Sequence, residues 1–295
     1  MTQPAVLDPE QVAPLGEFAA VASPTRRRAR VGRWLALGFL ALLLLTAVFG
    51  PWLYPYGPTE QALLDRLLAP GARGAEGRLH LLGTDALGRD VLAQLIYGAR
   101  LSVSVAICTV VLSGVLGTTL GLYAGYVQGR FGALIMRTVD VMLAFPTLLL
   151  ALVILFAVGP SFWAVVLVLA FARWTVFARV AEGLGRSARE ETYVAAAKVL
   201  GCGTPRIMRR HVLPNVFVPL LILATLEVSI VIPAEAGLSF LGVGIQPPDT
   251  SWGLMIADAR PYIETAWWLV AAPAAAILLT TLCVNVLARE WSRSR

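Results

Sequence analysis

Lys198 is the only lysine in a chain of 295 residues, and its neighbours decide what it can do. A phosphate cradle needs G-x-x-x-x-G-K-[ST], so that backbone amides and the lysine close on phosphate oxygens. Lys198 follows Ala197 and precedes Val199, so no nucleotide is expected to bind this chain. Cys108, Cys202 and Cys283 lack metal-ligand spacing and two of them lie in apolar runs, which reads as reduced packing residues. His80 and His211 are the only histidines, and no Ser-His-Asp or Cys-His grouping recommends itself. The expectation is a chain without catalysis, metal or cofactor. Glu227 stands out because it sits midway along an apolar run, where an ionisable group faces a polar cavity or a partner. One reading puts it on a translocation path, attracting a cationic part of a solute; the other makes it a protonated or hydrogen-bonded packing residue. Asp140, just after Arg137, reads as a helix-end residue paired locally.

The elements that must position these residues are membrane spans. Hydrophobic residues make up 58% of the chain and charged residues 14%, with mean hydropathy +0.74, against about 25% charged in soluble domains. The net charge of +6 could suggest nucleic acid. The basic residues, however, are spread along the connections between apolar runs, which is a membrane-topology pattern, and no nucleic-acid partner is expected. Residues 1–33 read as a disordered tail ending in an arginine cluster. The apolar run 34–50 then leads into Pro51-Trp52-Leu53-Tyr54-Pro55 rather than a small-residue cleavage site, so it reads as an uncleaved first span with an aromatic anchor. Residues 51–98 form a mixed polar segment. Five further runs, at 101–124, 139–158, 161–178, 216–235 and 266–288, approach the roughly 20 residues that a crossing helix needs, and lipid leaves unpaired backbone no alternative to helix. Residues 289–295 form a short basic tail. With the N-terminus inside, 17 Lys and Arg fall on the cytoplasmic side and five on the other, which supports six spans, cytoplasmic termini and a plasma-membrane location. This topology separates His80 from His211, so the two cannot share a metal. Gly114, Gly117, Gly121 and Gly125 repeat every three or four residues and read as a close-packing stripe within the chain.

The stretch from 179 to 215 is the exception among the connections. Joining two helices takes about two to eight residues, and this loop has about 35. It holds seven of the 24 basic residues. Thr192 to Leu200 reads as a short helix stopped by Gly201, Gly203 and Pro205, with a second basic helix to His211 before Pro214 starts the next span. Ala196, Ala197 and Gly201 would offer a close-approach surface, either for a soluble partner or simply as a solvated amphipathic face.

Ala196-Ala-x-x-x-Gly201 followed by His211-Val-Leu213-Pro214-Asn215 resembles the EAA loop of ABC importer permeases. Gly83-Thr84-Asp85-x-x-Gly88-Arg89-Asp90, Met136-Arg137-x-x-Asp140 through Phe145-Pro146, and Glu235-Ala-Gly-Leu238-Ser239-Phe240-Leu241-Gly242 with Gln246-Pro247-Pro248 and Trp252-Gly253 are similar, in order and spacing, to the C-type subunit of the dipeptide/oligopeptide/nickel permease family. The resemblance implies an all-α membrane protein of six spans with the type I importer fold, working as half of a heterodimeric pore. It also implies a homologous permease subunit, two cytoplasmic ATPases that bind ATP and Mg, an extracytoplasmic solute-binding protein and surrounding lipid as partners. Mapped onto this chain, Val194, Ala195, Ala196, Ala197, Lys198, Gly201, Cys202 and Gly203 would contact the ATPase. The sequence departs from the motif at Ala195, where glutamate is usual, and after Asn285, where the family's usual tail is missing. Peptide is the expected solute, with nickel or another small chelate as the rival. A reading from another class is a secondary transporter with Glu227 as its ion-coupling site; a third, a membrane-bound structural or receptor subunit, leaves the long loop without a role.

Overall fold

The structure is a computed structural model that describes residues 26–54 and 56–293. Helix α1 spans Arg26–Leu53, and a small cap of polar chain follows, containing one helical turn at Leu63–Asp65 and a two-stranded hairpin of β1 (Ala72–Arg73) and β2 (Leu79–His80). The remaining elements are helices: α2 (Val91–Val127), α3 (Arg130–Leu143), α4 (Thr147–Val158), α5 (Phe162–Glu190), α6 (Thr192–Val199), α7 (Thr204–Ile207), α8 (Leu213–Phe240), α9 (Trp252–Ala259) and α10 (Trp268–Arg293). Five of these segments are long and apolar enough to cross a membrane, and α3 with α4 make a sixth if that bent pair counts as one span.

Several boundaries differ from the sequence reading. The tail assigned to residues 1–33 gives way to helix at Arg26, because arginine is a good helix former and the backbone ladder continues past the apolar core; residues 1–25 lie outside the described residues. The polar segment assigned to 51–98 ends at Asp90, whose side chain accepts from the Ala93 N–H and starts α2 ten residues before the expected span. A helix begins at its cap, not at the membrane surface. At 37 residues, α2 is about 55 Å long against a hydrocarbon core of about 30 Å. The run 139–158 is not one straight span: α3 and α4 meet at 89°. Pro146 has no N–H to donate and pushes Phe145 out of the helical region. At the other end of the chain, α10 continues through the expected tail to Arg293.

The central contact is α2 against α5. A Cβ placed on Gly117, Gly121 or Gly125 would run into the backbone carbonyl oxygens of Trp174, Ala178 and Glu182 respectively, so the stripe packs within the chain and the two backbones lie nearly in contact. α3 lies across the end of this pair, with Ile135 and Val139 against Ala124, Trp174 and Ala178. At the opposite end, α9 closes over α2 and α8: Trp252 is fully buried, its indole N–H donates to the Leu95 carbonyl (3.1 Å), and Gly253 leaves room for the Ala236 backbone. The bundle thus has a cap end, carrying the hairpin and α9, and a loop end, carrying α6 and α7.

Gly121→Val is expected to force α2 and α5 apart and to cost about 1–3 kcal/mol or more, the usual range for overpacking. It should lower the melting temperature of the purified protein, whereas Gly38→Ala, with open space around its Cα, should leave it unchanged.

Candidate functional site

The expected site residues fall into three places along the bundle, and the structure does not bring the three together. At the loop end, α6 stops where Gly201 takes a positive φ of 76°. The Gly201 N–H then donates to the Lys198 carbonyl and the Cys202 N–H to the Ala197 carbonyl, both at 3.0 Å. This paired pattern is the glycine-terminated helix end that L side chains fit poorly. Val194 and Ala197, expected on the partner-facing surface, are instead buried in a cluster with Leu122, Tyr126, Ala181, Ile207, Val212, Val216 and Leu220. Their i, i+3 spacing makes them the inner face of α6. Ala195, Ala196 and Gly201 stay exposed. Two residues not singled out in the sequence dominate the tip: Val199 is 88% and Leu200 82% exposed. Lys198 reaches back over the Tyr126 ring, 5.3 Å from its centroid.

The second short helix does not end before Pro214. α7 passes through a π-helical turn at Met208–Val212 directly into α8. A π turn widens the ladder just where Pro214 lacks an N–H. Asn215 secures it by donating to the His211 carbonyl at 2.9 Å, and Leu213, its neighbour, is exposed.

Midway along the bundle, Glu227 is 2% exposed and pairs with Arg173 of α5 through two bonds, Nε to Oε2 at 2.7 Å and Nη2 to Oε1 at 2.5 Å. This pairing neutralises the Glu227 carboxylate inside its own chain. Arg173 was not singled out in the sequence; the one signal it gave was a charge inside the apolar run 161–178. Asp140 pairs with Arg179 of α5 across the helix interface, not with a neighbour on its own helix.

At the cap end, the residues of the Gly83–Asp90 motif build a turn. Asp85 accepts from the backbone N–H groups of Leu87 and Arg89, from Arg89 Nε (2.6 Å) and from Gln94 Nε2 (2.9 Å). Thr84 Oγ1 donates to the Asp65 carbonyl and accepts from the Leu68 N–H. Gly83 and Gly88 have positive φ, and a Cβ on them would meet the carbonyls of Leu68 and Ala62. Asp90 is buried and takes three bonds: from Ala93 N–H, from His80 Nδ1 (2.8 Å) and from the Tyr54 hydroxyl (3.1 Å). Burial and the neighbouring Asp90 carboxylate push the Tyr54 phenol above its ordinary range.

The second cap-end motif lies beneath. Glu235 is fully buried and accepts from Ser102 Oγ (2.9 Å) and Ser239 Oγ (2.7 Å), with no ion-pair partner among the described residues. Ser102 and Ser239 also receive the backbone N–H groups of Trp252 and Ile245, so this carboxyl ties α2, α8 and the 241–252 turn together. Leu238 is core, Phe240 stacks under Arg260 (4.1 Å to the centroid), Leu241 is exposed, and Gly242 ends α8 with a positive φ. A cavity of about 780 Å³ separates the two motifs, bordered by Asp85, Arg89, Gln94, Pro248, Asp258 and Tyr262. Among the described residues no group of histidine, cysteine and carboxylate side chains could hold a metal ion.

Residues 117–293 match the family described as the binding-protein-dependent transport system inner membrane component, and residues 28–70 match the N-terminal transmembrane domain of oligopeptide transport permease C. The chain is 44% identical, over 84% of its length and 82% of the relative's, to the di/tripeptide transport system permease protein DppC of Pseudomonas aeruginosa. It is 42% identical to the dipeptide transport system permease protein DppC of Escherichia coli, over 87% and 85% of the two chains. A probable D,D-dipeptide transport system permease protein, DdpC of Escherichia coli, is 37% identical over 84% and 81%.

The Tyr54 shift gives the cap a definite alkaline sensitivity. A phenol held above its free value near 10 stabilises the fold fully below that pH, and the contribution is lost as pH rises towards the folded value. Thermal melts from pH 8 to pH 11 are expected to show a steeper fall for the wild type than for Tyr54→Phe, with the two slopes alike below pH 9.

Proposed function

The chain belongs to the family of binding-protein-dependent transport system inner membrane components, and on that premise we propose that it is the C-type permease subunit of an ATP-driven peptide importer. In this reading it is a multi-pass plasma-membrane protein with cytoplasmic termini and makes half of a pore with a homologous permease. An extracytoplasmic binding protein delivers solute at the cap end. Two ATPases, carrying ATP and Mg, dock at the loop end, and this chain performs no chemistry itself.

The observation that carries the reading is the tip of α6. Val199 and Leu200 stand almost fully exposed beside Ala195, Ala196 and Gly201, ahead of a run of arginines at 206, 209 and 210. Two large apolar side chains on a short helix, at the end of the bundle away from the cap, suit a groove on a soluble partner. The inner residues Val194 and Ala197 hold that helix against α5 and α8, so force applied to the tip reaches the spans. The names of the relatives support peptide over a nickel chelate as solute. The burial of Glu227 against Arg173 weighs against an ion-coupled secondary transporter that would use Glu227 as its site.

Leu200→Asp tests the docking without straining the positive-φ glycine beside it. Co-expressed with its partner permease and ATPases, this variant is expected to keep the two permeases paired while losing most of the bound ATPase, roughly tenfold or more. An ATPase that stays bound with undiminished solute-stimulated hydrolysis would show that α6 is not the docking element.

A further inference from the structure

We infer that the Arg173–Glu227 ion pair is the clamp that makes the loop end and the cap end of the α5–α8 pair move as one body, so that these are positioning residues for transport. The inference rests on the reading of α6 as the ATPase-docking element. The argument begins with connectivity. α5 leads into the long loop and α8 leaves it, so these two helices are the arms of the hairpin whose tip is α6.

The arms are held by two separate apolar clusters. Towards the cap end, Val165, Val166, Val168 and Leu169 of α5 share a cluster with Val231, Ile232 and Leu238 of α8. Towards the loop end, Ala181 and Ala188 share another with Val216, Leu220 and the α6 residues Val194 and Ala197. Arg173 and Glu227 sit at the loop-end side of the first set, which continues about one turn past them to Phe177 on α5 and Leu223 on α8 before the second set begins at Ala181 and Leu220. Apolar contacts are non-directional and tolerate sliding and repacking. A two-point guanidinium–carboxylate pair fixes distance and orientation together. With Glu227 2% exposed and the Arg173 side chain 16% exposed, separating the charges would leave both poorly solvated, which is strongly unfavourable. The pair therefore fixes the arms against sliding or hinging about one turn from the border between the two sets, and Ser229 extends the tie to α10 through Asn285 at 3.4 Å.

Replacing a buried ion pair by apolar residues of similar volume is often neutral for stability, which separates a positioning role from a folding role. The double variant Arg173→Met/Glu227→Leu should therefore assemble and melt like the wild type. In the reconstituted importer it should still retain ATPase, yet lose solute-stimulated hydrolysis and uptake tenfold or more. The charge exchange Arg173→Glu/Glu227→Arg should recover uptake to within about threefold. Spin labels at Ala196→Cys and Ile230→Cys, in the paired permeases without ATPase, should give a narrow distance distribution for the wild type and a broad one for the apolar double variant. Uptake by the apolar variant within twofold of wild type, no recovery on charge exchange, or an unchanged label distribution would each overturn the clamp. Failure of even the wild type to bind ATPase would instead defeat the docking reading, while the label distributions still decide whether the clamp exists.

Discussion

Backbone against backbone is the contact from which the other elements take their places. α2 and α5 approach so closely along Gly117, Gly121 and Gly125 that no side chain fits between them. In lipid, water expulsion gives little reason for helices to associate, so dispersion contact at short range has to do it. Small residues at every turn make that range available. Once the pair is set, α3 has a ledge at one end, formed by Ala124, Trp174 and Ala178. α9 has a slot at the other, where Gly98 and Gly253 admit Trp252 and the Ala236 backbone. α8 completes the core along the side of the pair, and α1 and α10 line the outside.

The polar groups buried in this core divide by what they hold. Glu235 meets hydroxyls and orders a turn at the cap end; Asp90 meets an amide, an imidazole and a phenol and starts a helix. Only Glu227 meets a full opposite charge. These are three solutions to the same requirement, that a buried carboxyl find donors. They differ in reach and charge: hydroxyl and amide donors are short and neutral, whereas the long Arg173 side chain carries a full positive charge from α5 to α8.

Much of this was legible in the amino-acid sequence. Spans announce themselves because lipid demands long apolar runs, and Gly201 announced the end of α6 because few residues other than glycine accept its backbone geometry. What escaped was relational. Nothing local says that Glu227 and Arg173, 54 residues apart, share one depth and one face. Nor does composition say which side of α6 turns inward: alanines fill both sides, and only the packing of Val194 and Ala197 against Tyr126 and Val216 decides it. The 89° bend was hidden for the opposite reason. Pro146 was visible, but a proline near a span end is compatible with a kink, a stop or a turn until the neighbouring helices choose. The cap turn was visible as a motif without a reason; the reason is that Asp85 and Asp90 are spent on backbone and side-chain donors of their own segment.

The glycine seam also sets a timetable for synthesis. Gly121 and its contact Ala178 are 57 residues apart in the chain. At about 5–20 residues per second, α2 waits roughly 3–11 s in the bilayer before α5 has been made. Throughout that interval its seam faces lipid or the insertion machinery, with a furrow that acyl chains must fill and later vacate. Assembly of the bundle is therefore limited by the arrival of its fourth apolar run, and α2 crosses the membrane before its main packing partner exists. A defect along the seam would appear first as a half-inserted chain open to proteolysis, well before any completed pore could be assayed.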